Sequence, residues 1–92
     1  MHGEFKTPGG KMVVADFAVR DGRLADVRIS GDFFLYPEHA LEAIDAALIG
    51  AQADTPVGEL SARIAAALPA GTEMLGFTCD GVAEAVRRGL AP

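Results

Sequence analysis

From Lys11 to Arg20 the chain alternates, with Val13, Ala15, Phe17 and Val19 on one side and Met12, Val14, Asp16, Ala18 and Arg20 on the other. A period of two is that of a strand, here with the first set turned inward. Asp21-Gly22 follows as a two-residue hairpin turn, since such turns demand positive φ and glycine accepts it. The returning segment, Arg23 to Ser30, repeats the alternation, with Ala25, Val27 and Ile29 on one face and Leu24, Asp26, Arg28 and Ser30 on the other. Two strands alone are marginal in water, so their apolar face requires helices or a third strand. Phe33 to Tyr36 is the nearby candidate for that strand.

The pattern changes across Ser30 to Glu38. Phe33, Phe34, Leu35 and Tyr36 follow one another, and four large side chains in a row cannot all enter one face of a strand. At least one is expected to point away from the core. Pro37 stops the strand and suits the first turn of a helix, where Glu38 adds favourable charge. Leu41, Ile44 and Leu48 then recur at helical spacing, with Gly50 as the stop. A second helix is expected after a cap at Asp54 or Thr55, with Pro56 in its first turn, a stripe of Val57, Leu60, Ile64 and Leu68, and Pro69 as its end. Ala70 to Phe77 is expected as a loop or short strand. Thr78 or Asp80 caps a last helix that buries Val82, Val86 and Leu90 and carries Arg87 and Arg88 as dipole partners near its C-terminus.

The first ten residues are polar and glycine-rich, and are expected as a loop or extended arm turning at Pro8-Gly9-Gly10. Gly10-Lys11 ends no P-loop, because Phe5 and Met12 stand where that motif needs glycine and a hydroxyl residue. What remains is an arm with two ammonium groups, Lys6 and Lys11, able to meet a phosphate or carboxylate on another body.

Ninety-two residues make one domain, too small to hold both a sizeable core and an enclosed catalytic cleft. The formal net charge of −5 argues against nucleic-acid binding. Its distribution adds more. No Lys or Arg occurs between Arg28 and Arg63, while Asp32, Glu38, Glu42, Asp45, Asp54 and Glu59 fall in that gap. This region is either a solvated helix face or a surface for a basic partner. Cys79 is the single cysteine, so no internal disulfide forms and a reducing, cytoplasmic setting is the simpler expectation. No signal peptide is visible and the apolar runs are too short to span a bilayer.

Lys6-x-Pro8-Gly9-Gly10-Lys11, the hairpin, Ile29-Ser30-Gly31-Asp32-Phe33-Phe34 with Pro37-Glu38 behind it, and Gly76-Phe77-Thr78 before the last helix together resemble the C-terminal accessory domain of lipoate-protein ligases. The resemblance covers nearly the whole chain. It implies an α+β domain, a small antiparallel sheet (the hairpin plus a candidate third strand) packed against about three helices, related to sulfur-carrier scaffolds of the SufE/NifU type. The chain would be one such domain over residues 1–92, with an arm at 1–10, the hairpin at 11–30 and a helical part at 37–92. In the family a larger domain holds ATP, magnesium and lipoate, makes lipoyl-AMP and transfers the lipoyl group to a lysine of an acceptor protein. The accessory domain serves mainly the activation step.

Because Met1 stands directly at the domain, the resemblance implies the small subunit of a bipartite ligase, heterodimeric with a catalytic subunit and binding no cofactor by itself. Lys6, Pro8, Gly9, Gly10 and Lys11 would face the partner's phosphate site. Gly31, Asp32, Phe33, Phe34 and Pro37 would form the family motif and docking surface. No catalytic residue, metal cluster or nucleophile set is expected; His39 is read as solvent-facing. The runner-up is a sulfur or iron-sulfur carrier using Cys79 at a helix N-terminus, and a third reading is a simple protein-binding module.

Overall fold

A computed structural model describes residues 1–90. The elements run β1 (His2–Lys6), β2 (Met12–Arg20), β3 (Arg23–Gly31), β4 (Phe34–Tyr36), α1 (Ala40–Leu48), α2 (Val57–Ala67), β5 (Glu73–Leu75) and α3 (Cys79–Leu90). The class is α+β: an antiparallel sheet ordered β1-β2-β3, a separate ribbon of β4 and β5, and three helices.

The hairpin forms as expected. Asp21 and Gly22 take φ of 53° and 74°, the two positive values of its turn. Val13, Ala15 and Phe17 are buried along β2. On β3 the expected alternation fails at its first half, for Leu24 is buried and Ala25 only partly so. The register slips between Asp16 and Ala18 of β2, and the extra β3 residue is accommodated by Asp26 at a φ of 52°. This bulge resets the pleat, so Leu24, Val27 and Ile29 share the core.

The third strand is not Phe33 to Tyr36. It comes from the N-terminal segment, which is no free arm: His2 to Lys6 pairs antiparallel with Asp16 to Met12. Gly3 is buried and Phe5 half-buried, while His2, Glu4 and Lys6 are exposed. The alternation is real but faint, because one of its two inward positions is a glycine. That glycine lets β1 lie against α3, since a Cβ on Gly3 would overlap the carbonyl oxygen of Ala85 and one on Gly89 would come within 2.8 Å of the Phe17 ring.

The free edge of β3 is occupied. Leu24 exchanges backbone bonds of 2.8 Å with Gly50 and Ala51, and the Ile29 N–H donates to an Asp45 carboxylate oxygen at 3.0 Å. Phe34 to Tyr36 pairs instead with Leu75 to Glu73.

The core is one cluster in which Ile44 and Leu48 of α1, Leu60 and Ile64 of α2, and Val82 and Val86 of α3 meet the sheet. The helix stripes follow the expected spacing, with Leu41, Val57, Leu68 and Leu90 half-buried at the margins. Two boundaries differ. Pro37 lies in a turn before α1, its carbonyl accepting the Ala40 N–H, so the helix starts three residues later than expected. Neither Asp54 nor Thr55 caps α2; Pro56 holds the cap position and the Thr55 hydroxyl donates to the Gln52 carbonyl. Among the described residues no helix is long and apolar enough to cross a membrane.

Candidate functional site

The Thr7-Pro8-Gly9-Gly10 turn closes with the Gly10 N–H donating to the Thr7 carbonyl at 2.8 Å. Proline at the second position and glycine at φ 71° at the third are the demands of a type II turn. Thr7 N–H also donates to the Lys11 carbonyl at 3.0 Å, so the loop is the tight connection between β1 and β2.

This loop is fastened to a distant segment. Lys11 N–H donates to the Gly76 carbonyl at 2.7 Å, and a Cβ on Gly10 would stand 2.6 Å from that same oxygen. Gly76 has φ 90°, and a Cβ there would meet Cγ of Lys11 at 2.7 Å. Glycines at both positions are therefore required for the two backbones to touch. The stem of Lys11 runs over Gly76 and its residue is exposed.

A second junction lies beside the first. A Cβ on Gly31 would overlap the Met12 carbonyl oxygen, so only glycine lets the chain leave β3 at this angle. Two residues on, Phe33 stacks on Phe77, the residue after Gly76, with ring centroids 3.8 Å apart. Thr78 caps α3, its hydroxyl oxygen accepting the Gly81 N–H at 3.0 Å. The Thr7 hydroxyl is buried without a hydrogen-bond partner; a Cβ on Gly81 would come within 3.3 Å of it.

Of the residues singled out in the sequence, Gly10, Lys11, Gly31 and Phe33 thus gather around Gly76-Phe77. Lys6 ends β1, exposed, opposite Met12. Pro8 and Gly9 form the exposed tip of the turn, and Asp32 is exposed. Phe34 and Pro37 do not join this cluster. Phe34 points outward from the ribbon and Pro37 sits half-buried beyond it. Among the described residues no ion pair holds Lys6 or Lys11. Thr7 was missed by sequence reasoning, since a threonine before proline carries no signal of burial. The outward exposure of Leu75 was also illegible, because its strand partner lies 41 positions away.

Other candidates resolve differently. Cys79 is half-buried with Sγ 3.9 Å from Sδ of Met74, and burial, then the neighbouring Asp80, push its thiol upward. A nucleophilic or carrier cysteine needs the opposite shift. Arg88 lies over the Phe5 ring at 5.0 Å and donates to the Glu4 carbonyl at 3.4 Å, so it clamps β1 to α3 in addition to facing the helix dipole. His39 is exposed at the α1 cap position. Among the described residues no group of three or more His, Cys, Asp or Glu side chains is arranged to hold a metal ion.

A solved structure of an archaeal lipoylation system, comprising a bipartite lipoate protein ligase and its lipoyl domain from Thermoplasma acidophilum, contains a chain similar to this one. The two share 21% identity and superpose with a TM-score of 0.76 over 95% of this chain and 93% of the other. At that identity the likeness is one of fold. No family model and no curated protein matches the sequence.

Proposed function

We propose that this chain is the accessory subunit of a lipoate-protein ligase, required with a separate catalytic subunit for ATP-dependent formation of lipoyl-AMP before transfer to an acceptor lysine. The observation that carries the reading is the bond from Lys11 N–H to the Gly76 carbonyl, which joins two of the sequence pieces on which the family resemblance rests. The Phe33–Phe77 stack joins a third. The end-to-end fold likeness to a chain of the archaeal lipoylation system supports the same assignment.

The loop suits a phosphate approached from outside better than a nucleotide enclosed by this chain, since both lysines are exposed on a surface turn. ATP, magnesium and lipoate accordingly belong to the catalytic subunit. There the lysine ammonium groups of the loop would stand near the phosphate charge that develops during activation, and Gly9, with nothing within 4 Å of a Cβ, leaves room for close backbone approach. The half-buried Cys79, its thiol pushed up, gives the sulfur-carrier alternative no support.

The test mixes this chain with a candidate catalytic subunit, ATP, magnesium and lipoate, and follows lipoyl-AMP. Activation should depend on this chain and should fall in Lys6→Ala or Lys11→Ala while the complex persists. Activation unchanged by adding the chain would sink the assignment. Mass spectrometry of the same mixture covers the acceptor alternative: lipoylation of Lys6 or Lys11, the two lysines of the sequence, would make the chain a substrate instead.

A further inference from the structure

The β4–β5 ribbon has two unlike faces. Leu35 and its cross-strand partner Met74 turn inward and pack on the core. Phe34 pairs with Leu75 and Tyr36 with Glu73 on the outer face, where Phe34, Tyr36 and Leu75 are 73%, 68% and 61% exposed. Three large apolar side chains from facing strands thus form one patch, whereas the other exposed large apolar residues among those described, Met1 before β1 and Ile49 after α1, lie apart from the ribbon. Contiguous patches of this kind mark interaction surfaces, while scattered apolar residues do not.

The patch continues into a groove of about 420 Å³ between the ribbon and α1, floored by Gly31, Leu35 and Leu41 and edged by Phe34 and Glu38. Carboxylates stand on both the α1 side and the β5 side of the patch. Glu38 lines this groove and a second recess of about 230 Å³ on the ribbon, and Glu73 lines that recess beside Tyr36. Between Arg28 and Arg63, the stretch that holds Glu38 and Glu42, the sequence has no Lys or Arg.

We infer that the outer face of this ribbon is the surface on which the catalytic subunit docks, through an apolar segment flanked by Lys or Arg. The inference rests on the accessory-subunit reading and adds the location and chemistry of the contact. Charge decides against a second copy of this chain, since self-stacking would bring the carboxylates at the margins of one patch against those of the other. Phe34 inserts at the centre, and the partner's basic residues meet Glu38 and Glu73 at the rim. Leu75 precedes Gly76, to which the lysine loop is bonded, so a subunit seated here lies within reach of Lys11.

Affinity for the catalytic subunit is measured for the wild-type chain, for Phe34→Ser/Leu75→Ser, for Glu38→Lys/Glu73→Lys, and for Ile49→Ser as an exposed apolar control. All five substituted residues are exposed, and circular dichroism checks that each variant keeps its fold. Dissociation constants should rise about tenfold or more for the first variant and rise, with weaker salt dependence, for the second, leaving Ile49→Ser unchanged. Wild-type binding with an undiminished Phe34→Ser/Leu75→Ser complex overturns the docking site and leaves the subunit assignment standing. Absence of wild-type binding overturns the assignment and the docking site with it. A wild-type homodimer that the same double variant dissociates overturns the chosen occupant.

Discussion

The Phe33 ring lies on the Phe77 ring, centroids 3.8 Å apart and planes 22° from parallel. This stack holds the exit from β3 against the entry to α3, two segments more than forty residues apart. Phe77 is buried and Phe33 half-buried, so Phe77→Ala should cost about 3–5 kcal/mol and Phe33→Ala less. A double-mutant cycle by chemical denaturation should find about 0.5–1.5 kcal/mol of coupling between them. Additive losses would mean that each ring packs on the core independently.

Gly3 and Gly58 predict opposite signs for the same substitution. A methyl at Gly3 would overlap the Ala85 carbonyl oxygen, an atom of helix backbone that cannot rotate away. Gly3→Ala should therefore push β1 off α3 and cost about 1–3 kcal/mol. At Gly58, in the first turn of α2, nothing lies within 4 Å and φ is not positive, so Gly58→Ala should gain about 0.4–1 kcal/mol. Thermal melts of the two variants read both directions.

His2 ties β1 to β2. Its Nε2 is 2.7 Å from a Glu4 carboxylate oxygen and its Nδ1 2.6 Å from one of Asp16. Those hydrogen bonds, Glu4 first and then Asp16, raise its pKa above the ordinary histidine value. A raised histidine pKa adds stability that is fully present below the unfolded-state pKa and is lost as pH rises through the folded one. The melting temperature of wild type relative to His2→Gln should thus be higher at mildly acid pH and converge with it as pH rises through the folded-state pKa. The histidine is exposed, so the effect should be small and should shrink in high salt. A difference that grows with rising pH would contradict the sign.

Local periodicity in the sequence was enough to determine the β2–β3 hairpin, its Asp21-Gly22 turn and the three helical stripes, because each depends on residues no more than a few positions apart. The same logic required that some of Phe33 to Tyr36 face away from the core. Which ones do so was decided by pairing. Phe34 and Tyr36 face outward because β4 meets β5, and their partners Leu75 and Glu73 lie 41 and 37 positions along the chain.

β1 was hidden for a different reason. Its tightest contact is made by Gly3, whose value is the absence of a side chain, and hydrophobic patterning cannot register an absence. The bulge at Asp26, which exchanged Leu24 for Ala25 in the core, is equally silent in composition. The candidate site follows the same division. Its lysines and glycines stand in plain view in the sequence, but only the folded chain sets Gly10 and Lys11 on Gly76, since contact between two backbones depends on the path of each and not on the residues between them.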